Sequence, residues 1–268
     1  MRYHDLPELT SNIDSFFKKL EKQQLALFLD YDGTLTPIVN KPEDAKISAE
    51  MRQAVYDLST LIPVAVISGR DRKDVEKMVG LKNLIYSGSH GFDSKGPDFE
   101  YQHEAGVNCL PEFDAAEQEL NSALSEIENA KVERKLFAIA IHYRNVKESE
   151  IAKVEEVTNN IYTRYDCFKK AGGKKIIELK PDIDWHKGKA LLWLLEKLDL
   201  KKPEILPVYI GDDVTDEDAF KALPEVDGLG ILVGDHEMET KANYRLENVE
   251  QVKEFLHQLI KHYQDKPE

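Results

Sequence analysis

Asp30 and Asp32 leave the end of the apolar run "LALFL" two residues apart, and Gly33 and Thr34 follow at once. Alternate residues of a strand point the same way, so the two carboxylates would share a face if strand geometry persisted. Like charges that close repel unless a cation or a shared proton lies between them. The pair therefore asks for a metal, a proton donor, or both. A carboxylate aimed out of a strand end can attack phosphorus, and the resulting aspartyl-phosphate splits one hard displacement into two easier ones. A second carboxylate just beyond it can protonate the leaving alkoxide and then activate water. Asp30 suits the nucleophile and Asp32 the acid and base.

Other residues complete that chemistry. Ser68 and Gly69, in "VISGR", end a second apolar run just before a helix start, where a hydroxyl and backbone N–H groups can grip a phosphate. Lys187 would add a point charge to the same phosphate and stabilise the transferring group. Asp212 and Asp213, in "YIGDDVTDED", end a further run. Mg²⁺ is the hard cation that carboxylates and phosphate oxygens share. Asp30 and Asp212 are its expected side-chain ligands and the Asp32 backbone carbonyl a third, with Asp213 and Asp216 acting through water or bracing the shell. Each piece has a plain alternative: a surface DxD, an ordinary Ser-Gly-Arg turn, a solvated lysine, or acids that suit a helix start. Their order, each at a strand end, is what argues for one site.

The elements that must position these residues alternate. "LALFL", "PVAVISGR" and "NLIYSGSHG" read as strands. "ISAEMRQAVYDLS", with Ser48 as N-cap, and "DRKDVEKMVG", stopped by Gly80, read as the helices between them. A long acidic helix is expected from about Pro111 to Ala130, then "KLFAIAIHYRN" as one strand and "SEIAKVEEVTNNIYTRY" as a helix. "CFKKAGGKKIIELKP" reads as two strands joined around Ala171-Gly172-Gly173. The alternation then resumes with "HKGKALLWLLEKLDL", "ILPVYIGDD", "DEDAFKALP", "GLGILVG" and a C-terminal helix. Strands alternating with helices indicate an α/β fold with a parallel sheet, here interrupted by an α+β module. The expected division is a discontinuous core, residues 1–105 with 184–268, and a cap, residues 106–183. In open α/β sheets ligands bind outside the carboxyl ends of the strands, where the candidate residues fall.

The 268 residues can bury a sizeable core, and 41% hydrophobic with 32% charged is ordinary for a soluble globular chain. A net charge of −14 argues against nucleic acid as partner, because a phosphate backbone needs a basic footprint. A small phosphorylated substrate stays open, since a few local cations hold one phosphate. No apolar run is long enough to cross a bilayer, and the N-terminus lacks the apolar centre of a signal peptide. Only Cys109 and Cys167 occur, without metal-ligand spacing, so a cytoplasmic protein with reduced thiols is the expectation.

"LDYDGTLTPI", "VISGR", "GSHG", "HYR", "KGKALLWLL" and "GDDVTDEDAF" together resemble the motifs of the trehalose-6-phosphate phosphatases, a family of the haloacid dehalogenase superfamily. The resemblance implies a Rossmann-like core with an α+β cap, and Mg²⁺-dependent hydrolysis of trehalose 6-phosphate. Carried over, it makes Asp30 the nucleophile, Asp32 the acid and base, Ser68 and Lys187 phosphate binders, and Asp212 a metal ligand. Arg70, Gly88 and His90 would line the core side of the cleft. In the cap, Arg144 and Glu178 resemble the residues that meet the disaccharide, with Lys174 or Lys175 as a nearby donor. The plainer readings are a strand-end ion pair for Arg144 and an outward-facing strand acid for Glu178. Two positions depart from the family: Arg134 in "VERKLF", where an acid or amide is usual, and the missing acid after Arg144.

A monomer acting on a small-molecule sugar phosphate is the expectation, with a trehalose-phosphate synthase as candidate partner and neither nucleic acid nor membrane. Rival readings are a phosphatase of glucosylglycerol, mannosylglycerate or sucrose phosphate, a phosphomutase, and a non-catalytic module regulating a synthase. Residues near 105–106 and 181–184 are the expected hinge for cap closure.

Overall fold

The computed structural model describes every residue except Asn40, Lys174 and residues 266–268. The chain forms two compact units, Met1–Tyr101 with Trp185–Glu268, and Gln102–Asp184. The expected crossings at 105/106 and 183/184 lie within a few residues of these. Among the described residues no helix is long and apolar enough to cross a membrane.

The first unit is built on strands β1 (Gln24–Leu29), β2 (Val64–Ile67), β3 (Ile85–Gly88), β4 (Asp93–Gly96) and β5 (Phe99–Gln102). After the second unit the sheet resumes with β10 (Ile205–Gly211), β11 (Leu229–Val233) and β12 (Tyr244–Leu246). The order is β12-β11-β10-β1-β2-β3-β4-β5. Neighbours from β12 to β3 run parallel, and β4 returns antiparallel to β3.

The strands show the period of two that a sheet covered on both faces requires. Leu25, Leu27 and Leu29 enter one core with Val64, Val66, Val208 and Ile210. Ala26 and Phe28 enter the opposite core with Ala65, Ile67 and Tyr209. Helices α2 (Ala49–Ser59) and α9 (Val249–Gln264) cover the first face with Met51, Leu58, Phe255 and Leu259. Helices α7 (Lys187–Lys197) and α8 (Glu217–Ala222) cover the second with Leu191, Leu194, Leu195 and Phe220. Ser48 caps α2 by accepting from the Met51 N–H at 3.1 Å. Helix α3 (Arg72–Val79) ends at Gly80, whose φ of 67° admits the left-handed turn that closes it. An N-terminal helix, α1 (Ile13–Leu20), packs Phe16 and Leu20 into the first core.

The second unit has one antiparallel sheet, order β6-β7-β9-β8, with helices on one face. Its strands are β6 (Lys131–Lys135), β7 (Ala138–His142), β8 (Phe168–Gly173) and β9 (Ile176–Pro181). Its helices are α4 (Glu104–Asn108), α5 (Leu110–Leu124) and α6 (Glu148–Tyr162). Phe113, Leu120, Val154 and Ile161 of the helices pack on Ile139, Ile141, Ile177 and Leu179 of the sheet.

Three expectations need correction. "KLFAIAIHYRN" is not one strand: the chain reverses between Lys135 and Ala138, so β6 and β7 form a hairpin. The acidic helix ends at Leu124 rather than Ala130. Ala171, Gly172 and Gly173 belong to β8 rather than to the turn, and a Cβ on Gly172 would lie 2.5 Å from the Ile176 carbonyl oxygen. Glycine there lets the two strands close.

Candidate active site

The site grows from the carboxyl ends of β1, β2, β3 and β10, all in the first unit. Asp30 is the first residue past β1, and its N–H still donates to the Ile210 carbonyl of β10 at 2.9 Å. The ladder therefore fixes its backbone. The chain then turns sharply, with the Leu35 N–H donating to the Tyr31 carbonyl and the Tyr31 hydroxyl donating to the Ala45 carbonyl at 2.7 Å. Gly33 takes φ 78°, and a Cβ there would lie 1.9 Å from Asp212 Oδ2, so only glycine fits beside that carboxylate.

The turn sends the two aspartates to different partners. Asp30, 4% exposed, accepts from Lys187 Nζ at 2.7 Å. Asp32, its side chain 42% exposed, meets the Arg70 guanidinium through both oxygens, at 2.6 and 2.7 Å. The Arg70 charge also lies 5.5 Å from the centre of the Tyr31 ring.

Asp216 organises the centre. Its Oδ1 accepts from Lys187 Nζ at 2.7 Å and from the Tyr209 hydroxyl at 2.6 Å. Its Oδ2 accepts from the backbone N–H groups of Asp212 and Asp213 at 3.1 and 3.0 Å. The single 3-10 turn Val214–Asp216 folds this carboxylate back onto its own loop. Lys187 opens α7 with its side chain 3% exposed, so a buried ammonium bridges two buried acids. Oxygens of Asp30, Asp212 and Asp216 all lie within 4.8 Å of one another.

This group is short of positive charge. Burial pushes Asp30 up to about 7, against the Lys187 charge that lowers it and with the Asp216 charge that raises it. Burial pushes Asp212 up to about 8, and the Asp30 and Asp216 charges add to the effect. Asp212 Oδ1 is buried and accepts no hydrogen bond. An orphaned carboxylate oxygen beside two further acids suits a hard cation.

The remaining predicted residues gather nearby with different duties. Ser68 is buried, and its hydroxyl accepts from the Arg70 N–H at 3.1 Å, which leaves the hydroxyl proton to donate elsewhere. A Cβ on Gly69 would come 2.9 Å from the His90 ring, so the ring lies close over that glycine. His90 itself takes φ 56° and ψ 27°. Gly88, expected to line the cleft, packs against the start of α3: a Cβ there would lie 2.1 Å from the Arg72 nitrogen. Asp213, expected at the metal, is exposed and turns to its own loop, accepting from the Val214 N–H at 2.6 Å. The side chains of Asp32 and Asp213 stand outside the three-acid group, whereas Asp216 stands inside it.

In the second unit, Glu178 lies on the sheet face opposite the helices, 3.1 Å from Lys135 Nζ and 2.9 Å from Lys180 Nζ. Burial opposes its ionisation, but the Lys135 and Lys180 charges hold its carboxyl down at about 2. Glu133 and His142 meet on the same face at 2.7 Å. Register places Glu133 and Glu178 on either side of Ala140, a signal that Glu133 and Lys135, two residues apart in "VERK", carry in the sequence. Arg134 points to the other face. It bonds Asp114 at 3.2 Å and the Leu136 carbonyl at 2.8 Å, and lies 4.9 Å from the Phe113 ring centre. That departure braces the sheet against α5. Arg144 is exposed in the turn after β7 and makes no hydrogen bond or ion pair with a described residue; Lys174 lies outside the described residues.

Residues 28–250 match the family described as trehalose-phosphatase. The chain is 39% identical to probable trehalose-phosphate phosphatase 2 of Oryza sativa subsp. japonica, over 94% of this chain and 72% of the relative. It is 38% identical to trehalose 6-phosphate phosphatase RA3 of Zea mays, over 94% of this chain and 74% of the relative. Among solved structures, the C-terminal domain of the C. albicans trehalose-6-phosphate phosphatase superposes with TM-score 0.74 at 26% identity, covering 96% of this chain and 98% of that one. A haloacid dehalogenase-like hydrolase from Bacteroides thetaiotaomicron shares the fold, with TM-score 0.63 at 16% identity, covering 89% of this chain and all of the other.

Proposed function

The chain belongs to the trehalose-phosphatase family, and we propose that it hydrolyses trehalose 6-phosphate to trehalose and inorganic phosphate through an aspartyl-phosphate. The observation that carries this reading is the buried bridge from Asp30 through Lys187 to Asp216, beside the orphaned oxygen of Asp212. Such a grouping gives an acid fixed for attack and a local demand for positive charge that a divalent cation held by these acids would meet.

Asp30 attacks phosphorus. Lys187 bonds its Oδ1 and holds the carboxylate for that attack. As the new O–P bond forms, the bond to the sugar oxygen breaks, and Asp32 supplies the proton that the leaving alkoxide takes. Asp32 then accepts a proton from water, which attacks phosphorus and releases phosphate while Asp30 is regenerated. The Ser68 hydroxyl, the Gly69 backbone and Lys187 bind the phosphate oxygens. Mg²⁺, held by Asp30 and Asp212, would neutralise the phosphate charge as the nucleophile approaches. Asp216 braces that pair, because both of its oxygens already accept hydrogen bonds from the chain. Arg70 and His90 line the core side of the sugar site.

The second unit supplies the sugar specificity. Its open sheet face offers the carboxylate of Glu178 as acceptor for hydroxyls, with Lys135 and Glu133 beside it, and Arg144 and Lys174 complete the set. A monomer in the cytoplasm, with a trehalose-phosphate synthase as supplier and partner, fits this reading. The two free cysteines suit a reducing compartment.

Phosphate release from a panel of sugar phosphates, with Mg²⁺ and with EDTA, for wild type and Asp30→Asn, tests the proposal. Mg²⁺-dependent release from trehalose 6-phosphate, lost in the variant, is expected. Release confined to another sugar phosphate would overturn the sugar and keep the chemistry; silence across the panel would overturn both.

A further inference from the structure

Cys109 and Cys167 are the only cysteines of the chain. They stand far apart in sequence, and the fold of the second unit brings them together. Cys109 precedes α5 and Cys167 precedes β8. Cys109 Sγ lies 3.9 Å from the Cys167 carbonyl oxygen and 3.4 Å from that of Ala105, so the first thiol stands at the backbone of the second cysteine. Cys109 is buried in the unit's core, and Cys167 packs against that core while partly exposed. The Cys167 carbonyl also accepts from the Asp182 N–H at 2.7 Å, so its backbone is anchored to the end of β9. Nothing in phosphate transfer uses either sulfur.

We propose that this thiol pair is a modification site, at which a small-molecule disulfide of the glutathione type converts Cys109 and Cys167 to an intramolecular disulfide. The Cys167 thiolate, the more accessible, attacks one sulfur of the small disulfide and expels one thiolate. The Cys109 thiolate then attacks the Cys167 sulfur of the mixed disulfide and expels the second. Two protein thiols are oxidised to one disulfide, one small disulfide is reduced to two thiols, and the two protons pass to the leaving thiolates. With the Cys109 sulfur already at the Cys167 backbone, the two thiols need side-chain rotation rather than a change of fold to meet.

The bond would close a loop holding α5, β6, β7 and α6, so it restricts the unfolded chain across most of the second unit. It would also be slow to form. Burial pushes the Cys167 thiol up to about 12 and raises that of Cys109, and the Glu112 charge acts on both in the same direction. Little thiolate is present at neutral pH, so the pair answers sustained oxidation rather than a brief pulse.

The test is intact-mass and peptide-mapping analysis of the full chain after incubation with glutathione disulfide or with dithiothreitol, followed by thermal melting of both samples. The expected result is a mass lower by two hydrogen atoms, a linked peptide pair containing residues 109 and 167, and a melting temperature several degrees higher, all reversed by dithiothreitol. Cys167→Ser and, separately, Cys109→Ala should abolish the melting difference. The wild-type peptide map decides the matter even if either variant fails to fold. Two thiols still open to alkylation, a mixed disulfide that persists on Cys167, or a bond between two chains would overturn the proposal.

Discussion

Arg70 holds Asp32 with two parallel hydrogen bonds, Nε to Oδ2 at 2.7 Å and Nη2 to Oδ1 at 2.6 Å. Both oxygens of the proposed acid and base therefore answer to one planar guanidinium, a geometry that also suits a phosphate. The same cation would orient Asp32 before substrate arrives and be shared with the anion afterwards. Arg70→Ala should lower kcat/KM by about 10- to 100-fold, the equivalent of one charge-assisted fork. Arg70→Lys should recover only part of this, because an ammonium cannot present the fork. Steady-state kinetics of the three proteins checks the order, and an alanine variant as active as wild type would mean Asp32 is oriented by something else.

Gly33 is the tightest point of the site, since a Cβ there would stand 1.9 Å from Asp212 Oδ2 at a backbone φ of 78°. Gly33→Ala should push Asp212 away and strain the turn by about 1 kcal/mol. We expect at least a tenfold loss of activity. The Mg²⁺ concentration for half-maximal rate should rise more than KM for the sugar phosphate. A Mg²⁺ titration that superimposes on wild type would refute the placement.

Proton and metal binding should compete. Burial and neighbouring acids raise Asp30 to about 7 and Asp212 to about 8. A carboxyl whose folded value is raised contributes stability that is complete below its ordinary range of about 4. That contribution is lost as pH rises through about 7 and 8. A cation replaces the protons there. The rise in melting temperature on adding Mg²⁺ to EDTA-treated protein should therefore be larger at pH 8.5 than at pH 6. An equal or reversed difference would count against a metal at these acids.

Glu178 runs the other way. Burial opposes its charge, yet Lys135 and Lys180 hold it down at about 2. Its contribution is present above the ordinary value of 4.5 and disappears as pH falls toward 2. Glu178→Gln should cost the second unit on the order of 1–3 kcal/mol at pH 7, allowing for partial exposure of the lysines, and about half of that or less at pH 3. The same variant should raise KM for the sugar phosphate more than it lowers kcat. Denaturant unfolding at the two pH values, paired with kinetics, separates the two effects.

Strands β1, β2, β3, β10 and β11 are legible in the sequence because each is an apolar run stopped by glycine, serine or aspartate. The proposed site residues Asp30, Ser68 and Asp212 fall at their ends, so they could be named from pattern alone. Strand β4, with the sequence DSKG, is invisible to that reading: its burial comes from pairing with β3 and from the 3.0 Å contact of Asp93 with Arg72. The β6–β7 hairpin escapes because neither Leu136 nor Phe137 marks a turn as glycine or proline would. Asp216 reads in the sequence as an acid that acts through water or braces the shell, with no partner specified. Its command of Lys187, Tyr209 and two N–H groups exists only once a 3-10 turn has folded it back. Asp213 misleads for the converse reason: its position beside Asp212 is right, but its side chain is spent capping that same turn.

The parallel pairing of β1 with β10, Gln24 against Ile205 through Leu29 against Ile210, has a consequence for how the molecule is made. The strand that ends at the proposed nucleophile is synthesised before the second unit, and its neighbour only after all of it. While the second unit is being made, β1 has no partner on that side, a template for unwanted pairing. Lys187, Asp212 and Asp216 also arrive late. On the proposed mechanism, a chain that stops before β10 would thus be both inert and open to mispairing at β1.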